Sequence, residues 1–302
     1  PWHNAGISGW VVSPDKGKMS KSKGNTITPE GLLQTYSADA LRYWAGKAKL
    51  GHDTIYDESV FKVGMRLANK LFNASKFTML QLKSPAAAGA KLGPADITEP
   101  LDRAWVEHLK GIVEASRKDF ENYDYAAVLL YVETAFWDFC DNYLELVKNR
   151  AYSGKPEAAR SACAALDWTL SVFLRMFAPF MPFITEELWG WSYAASTGRP
   201  SVHKAPWPSA AEMPSAAGDK LVLESARKMM EAIRTKKAAE KRSVKWPVAK
   251  LVVECGPRQA AALKLALEDV LLAGCVDKAG VTLKEAASDE TPLTATVELG
   301  AA

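Results

Sequence analysis

Hydrophobic positions change their period twice along this chain, and the changes mark three regions. Ile7-Ser8-Gly9-Trp10-Val11-Val12 reads as a short strand, followed by turn residues Pro14, Asp15 and Gly17. From residue 29 to about 192 the period is helical. Thr28-Pro29-Glu30 is a helix start, with Thr28 as N-cap and Pro29 at the first helical position. Ser37 caps a second helix whose Asp39 suits the dipole of the first turn, and Asp53 to Tyr56 is expected to be a connector. A long helix is predicted over Glu58–Leu80, with Phe61, Met65, Ala68, Phe72 and Ser75 as its inner stripe and Lys62, Arg66, Lys70 and Asn73 on another face. Beyond an Ala-, Gly- and Pro-rich loop over 85–100, three more apolar stripes follow. They are Leu101, Trp105, Leu109 and Ile112; then Val128, Tyr131, Ala135, Phe139, Tyr143 and Leu146; then Leu166, Leu170, Phe173 and Phe177. Pro179 and Pro182 break the last helix and open a short one. Together these predict an antiparallel helix bundle.

The pattern changes again after a proline-rich linker over 201–215. A helix from about Asp219 to Glu240 precedes a strand at Val248–Glu254, a helix at Gln259–Ala273, a strand at Val281–Lys284 and a strand at Leu293–Leu299. The predicted fold is therefore mainly α. It begins with the end of an α/β domain over residues 1–50, continues as a helix bundle over 51–200, and closes with a linker and small α+β domain over 201–302.

Composition narrows the function classes. At 302 residues, 48% hydrophobic and 24% charged, the chain is an ordinary globular one, and its net charge of +3 leaves any nucleic-acid role to local patches. No apolar run approaches the ~18 residues of a membrane span. The four cysteines form no C-x-x-C pair, so a zinc knuckle is not expected and reduced thiols in a cytoplasmic protein are. The chain opens on Pro-Trp-His-Asn without an initiating Met and so reads as part of something longer.

Two charged stretches stand out. Lys18-Met19-Ser20-Lys21-Ser22-Lys23-Gly24-Asn25 sets three lysines on a strand-to-helix loop, where flexible ammonium groups can follow a polyphosphate as its charge shifts. A solvated lysine loop is the plain alternative. Between Arg227 and Lys245, eight cations face only Glu231 and Glu240, a local charge of +6. That suits contact with an RNA backbone, and an exposed helix with ordinary lysines is the alternative. Trp246 beside it reads as a stacking residue or a hydrophobic anchor. Asp138, Asp141 and Glu145 read as an acidic helix face rather than a metal site.

The first stretch resembles the ATP signature loop of class I aminoacyl-tRNA synthetases. Asp39-Ala40-Leu41-Arg42-Tyr43-Trp44 and Asn69-Lys70-Leu71-Phe72-Asn73-Ala74-Ser75-Lys76-Phe77 are similar to the valyl branch in particular. Phe177-Ala178-Pro179-Phe180-Met181-Pro182-Phe183-Ile184-Thr185-Glu186-Glu187-Leu188-Trp189 is similar to a segment shared by the valyl, leucyl, isoleucyl and methionyl members.

The resemblance implies an anticodon-binding bundle, ATP as a substrate with Mg²⁺, and valine and tRNA(Val) as partners of the complete enzyme, working as a monomer. It implies catalytic roles for Lys18 and Lys21, and ATP contact for Lys18, Met19, Ser20, Lys21 and Ser22. tRNA contact is expected at Asn73, Lys76 and Phe77, and at Lys236, Lys237 and Lys241 of the basic run. The family's His-x-Gly-His signature is not formed by His3, His52, His108 or His203, so the isolated chain is expected to be inactive. A leucyl or isoleucyl enzyme, and a non-catalytic helical RNA-binding protein, stay open as alternatives.

Overall fold

The computed structural model describes every residue except Pro1, Lys21, Lys23, Ala90, Gly154, Ala210, Ala211, Ser215, Ala216 and Ala302, and the side chain of Ser153. The chain divides into two compact units, residues 1–79, 111–136 and 170–211 in the first and 80–110, 137–169 and 212–302 in the second. No described helix is long and apolar enough to cross a membrane.

In the first unit, β1 (Val11–Val12) pairs in parallel with β2 (Thr54–Ile55), so the expected connector is a strand. Between them lie α1 (Pro29–Thr35) and α2 (Ala38–Gly46). Thr28 takes the N-cap position of α1 without a side-chain bond, whereas the Ser37 hydroxyl accepts from the Ala40 amide. Asp39 does more than face its own dipole. It is buried, and its carboxylate accepts from the amides of Phe183 (3.1 Å) and Ile184 (2.7 Å) at the start of α8 (Pro182–Gly190). A carboxylate there meets both orphan donors and the positive helix end.

The long helix α3 (Glu58–Gln81) spans ~36 Å at 1.5 Å per residue. Its buried stripe runs through Phe61, Gly64, Leu67, Leu71, Ala74, Ser75 and Thr78. Of the predicted inner stripe Phe61 and Ser75 are buried; Met65 and Ala68 are half-buried, and Phe72 is 40% exposed, edge-on to Trp191 at 5.3 Å. Close approach of α2 selects this face, because a Cβ on Gly64 would sit 3.0 Å from the Ala40 Cα. The helices α4 (Pro100–Glu121), α5 (Tyr125–Asp138) and α7 (Pro156–Phe177), like α3, contribute residues to both units. In α4 Val113 is buried and Ile112 is not; in α5 Val132 replaces Tyr131. Phe136 packs edge-on to Phe173 and Phe177 at 5.3 and 5.5 Å in the first unit's core. A five-residue helix, α9 (Tyr193–Thr197), ends at Gly198 in the left-handed region.

In the second unit the predicted helix over 126–152 is interrupted. A π turn at Phe139–Tyr143 leads into α6 (Leu144–Ser153). Trp105 stacks on Tyr143 at 4.9 Å, and the Tyr143 hydroxyl donates to Asp102 at 2.7 Å. Asp102 also accepts from Ser161 and takes two bonds from the Arg150 guanidinium at 2.8 and 2.9 Å. Arg150 turns its Nε to Asp269 at 3.0 Å, on the helix α11 (Pro257–Gly274). Two carboxylates thus share one buried cation, and burial pushes Asp269 up to about 6.

The terminal module matches its expectation closely: α10 (Lys220–Ala239), β3 (Val248–Cys255), α11, β4 (Val281–Glu285) and β5 (Thr294–Leu299). The sheet order is β4-β3-β5, with β3 parallel to β4 and antiparallel to β5. β3 is central and alternates buried Leu251, Val253 and Cys255 inward. The linker before α10 carries one 3₁₀ turn at Val202–Lys204 among its described residues.

Candidate functional site

The lysine loop is tied at its base, its middle and its seat. At the base the Ser13 amide donates to the Gly17 carbonyl at 3.0 Å, and the Ser13 hydroxyl bonds both that carbonyl and Asp15. An antiparallel bridge then joins Val12 to Lys18. In the middle Asn25 reaches back, its Oδ1 accepting from the Ser20 amide at 2.9 Å and its Nδ2 donating to the Lys18 carbonyl at 3.4 Å. The Ser20 and Ser22 hydroxyls lie 3.2 Å apart.

Met19 turns inward and packs on the cluster of Tyr36, Ala40, Tyr56 and Phe61. That cluster rests on Glu58, whose carboxylate accepts from Tyr36 at 2.9 Å and Tyr56 at 2.8 Å. The two phenols hold Glu58 below the usual carboxylate range, and burial with this bond pushes Tyr56 up to about 12.

The alternation therefore has a mechanical meaning: Met19 anchors, while Lys18 is exposed with its ammonium 5.5 Å from the Trp10 ring. Lys21 and Lys23 lie outside the described residues. Asn25, which the sequence offered only as the end of the motif, is the residue that closes the loop. An amide that can both donate and accept is suited to this.

On α3, Asn73 and Lys76 are exposed and Phe77 is half-buried. They share an exposed stripe with Asn69, Leu80 and Lys83, recurring at intervals of three and four. Lys62 and Arg66 are exposed, and Lys70 is half-buried.

The basic run divides sharply. Arg227 bonds Asp138, which also lies 3.7 Å from His108 and accepts from Asn142. Burial and the Arg227 charge hold His108 below its ordinary value. Arg234 donates to Asn142 at 2.8 Å and to the Asp141 carbonyl, and Lys236 pairs with Glu240 at 2.7 Å. The acidic face of residues 138–141 is thus a seat for α10.

Lys237 overturns its expected role in RNA contact. It is 2% exposed, and its ammonium donates to the carbonyls of Val244 (2.7 Å) and Gly274 (2.8 Å), so it cannot meet a phosphate. Burial pushes its pKa down. Helical periodicity places Lys237 beside buried Ile233 and Met230, a signal that a charge count ignores. Lys241, Arg242 and Lys245 are exposed. Among the described residues no three His, Cys, Asp or Glu side chains converge as a metal site.

Comparison with known proteins gives this geometry its context. The family description "tRNA synthetases class I (I, L, M and V)" matches residues 1–57. Valine–tRNA ligase of Thermobifida fusca is 43% identical over 304 residues, spanning 100% of this chain and 33% of that protein. The Bifidobacterium longum protein of the same name is 40% identical over 97% of this chain and 34% of its own length. That of Wolbachia pipientis is 41% identical over 86% and 29%. The chain spans about a third of the length of the relatives it matches. The fold is similar to that of Agrobacterium radiobacter LeuRS in a ternary complex with tRNA and LeuAMS, with a TM-score of 0.52 and 22% identity over 70% of this chain and 25% of that one. The description "Anticodon-binding domain of tRNA ligase" matches residues 102–253, half of the chain and the stretch from α4 to the first strand of the terminal module; the chain belongs to this family of tRNA-ligase anticodon-binding domains.

Proposed function

We propose that this chain is the signature-loop and tRNA-binding portion of a ligase that charges tRNA(Val) with valine, using ATP through a valyl-adenylate. The observation that carries the reading is the signature loop seated through Met19 and closed by Asn25, on a chain matched along its whole length by a valine–tRNA ligase. Residues 1–50 supply the loop end of the catalytic domain, 51–200 the anticodon-binding bundle, and 201–302 the linker and terminal module. The first segment supports this division. A two-residue parallel ladder needs cover on both faces, and Ile7, Trp10, Leu33 and Ile55 are exposed around it. The rest of an α/β domain would provide that cover.

In this mechanism Lys18 and Lys21 are cations aimed at ATP phosphates, with Ser20 and Ser22 as hydroxyl donors and Met19 as the pivot. As the valine carboxylate attacks the α-phosphate, charge grows on the departing pyrophosphate. Cations that meet that charge only then lower the barrier rather than the ground state. Asn73 and Lys76 give polar contacts and Phe77 a stacking face to unstacked anticodon bases, while Lys241 reaches phosphate. We take the enzyme to act as a cytoplasmic monomer.

The test is aminoacylation by the complete protein with valine, leucine and isoleucine on matched tRNAs. Valine charging of tRNA(Val) is expected, and a preference for leucine or isoleucine would overturn the assignment. In the same assay, Phe77→Ala should erode discrimination against other anticodons, since a stacked base contributes roughly 1–3 kcal/mol.

A further inference from the structure

We propose that the turn Lys241–Trp246, rather than the α10 helix itself, is a preorganised grip for consecutive backbone phosphates of tRNA. The inference rests on the tRNA-binding reading above and deepens it.

The turn is built as a rigid mount. Helix α10 ends with the Arg242 amide donating to the Lys237 carbonyl (2.8 Å) and the Lys241 amide to the Ala238 carbonyl (3.0 Å), the two bonds of a Schellman ending. The left-handed residue such an ending requires is here Lys241, at φ 53, a place where glycine is usual. A lysine in that strained position puts a charge at the tip of the turn. From below, the Lys237 ammonium fastens the Val244 carbonyl of the turn to the Gly274 carbonyl at the end of α11. Trp246 is pinned by its amide to the Ser243 carbonyl and by its indole to the Gly300 carbonyl, both at 3.0 Å.

On this mount the Arg242 guanidinium lies 4.2 Å from the Trp246 ring centroid. Stacking holds the planar fork in one orientation before any ligand arrives. Lys241, Arg242 and Lys245 are exposed, and none has a carboxylate partner among the described residues. Glu240, next to Lys241 in the chain, is engaged with Lys236. Three exposed cations on one braced turn, with Val244 exposed among them, suit a run of phosphates spaced along a strand. Lys237 is then a positioning residue, for it shapes the turn without reaching the ligand.

The experiment is a titration of the 302-residue chain with tRNA(Val) and an unrelated tRNA at several salt concentrations. The variant Lys241→Gln/Arg242→Gln/Lys245→Gln should lose about tenfold or more in affinity for both tRNAs and flatten the log–log salt slope by about two to three, near one per lost phosphate contact. A matched control neutralising Lys264, Lys278 and Lys284 on the same module should keep the wild-type slope. Trp246→Leu, which keeps every charge, should weaken binding several-fold at nearly constant slope, because the Arg242 fork is released. An unchanged slope in the triple variant overturns the proposal, and so does an equal loss in the control, which would make the effect one of bulk charge. If the wild-type chain binds no tRNA even at low salt, the underlying reading falls as well, an outcome distinct from binding that ignores this turn.

Discussion

The lysine loop near the start of the chain and the basic run of α10 look alike as sequence: short, lysine-rich and lightly opposed by acids. In the structure they are opposites. The described cation of the loop, Lys18, is exposed with its ammonium 5.5 Å from the Trp10 ring, while the loop is held by Met19 and Asn25. In the basic run Arg227, Arg234, Lys236 and Lys237 are bonded within the protein, whereas Lys228 is exposed on the helix and Lys241, Arg242 and Lys245 are exposed past its end. A lysine within a motif can be a tool or a strut. Apolar neighbours and available acceptors decide which, because a buried ammonium must find partners or forfeit several kcal/mol.

The sharpest way to test that contrast is to remove the most completely internal cation. Arg150→Ala should cost about 3–5 kcal/mol in denaturant unfolding, since Asp102 and Asp269 would be left as buried, unpaired carboxylates. A loss below about 1 kcal/mol would mean that internal pairing matters little here.

Asp269 gives the same idea a pH signature. Its pKa rises from 3.8 to about 6, chiefly through burial, so the folded state binds this proton more tightly than the unfolded chain does. The associated stability is full below about pH 4 and is lost as pH rises through about 6. Between those limits the wild type should therefore fall relative to Asp269→Asn by up to roughly 3 kcal/mol. Parallel stability curves for the two proteins would contradict a pKa raised by burial.

In the signature loop, Lys21→Ala in the complete enzyme should lower the rate of adenylate formation on the order of 10²-fold, or about 2.7 kcal/mol, with little change in valine affinity. Pyrophosphate exchange measures this directly, and a wild-type rate would remove Lys21 from the mechanism.

Lys237→Ala and Lys241→Ala set strut against tool within a single turn of chain. The first should cost about 1–3 kcal/mol of stability by stranding two carbonyls. The second should leave the melting temperature nearly unchanged and reduce tRNA affinity. Equal melting temperatures for the two variants would erase the distinction. The smallest effect is expected for Asn25→Ala. Losing two loop bonds should slow adenylate formation several-fold, about 1 kcal/mol, while leaving unfolding untouched.

Element boundaries were legible because they depend on local chemistry. Pro29 and Pro182 open helices, Ser37 caps one, and the strand and helix periods of the terminal module put each of its elements within a few residues of its observed place. The loop motif and its family likeness were legible for the same reason, being contiguous. What a single segment could not reveal was which of two plausible faces would be buried. In α3 the stripe of Met65, Ala68 and Phe72 is apolar, as is that of Leu67, Leu71 and Ala74, but the face bearing Gly64 lets α2 approach, so Phe72 ends at the surface.

The same limit governs every feature that joins distant positions. Composition and periodicity specified helices, their ends and a charged run, since these follow from neighbours three or four residues apart. The assignment of Asp39 to cap α8, of Arg150 to two carboxylates and of Lys237 to the Gly274 carbonyl spans separations of 37 to 145 residues. Those pairings arise only when packing removes water from the groups involved, and each then takes the partner that folding has placed within reach.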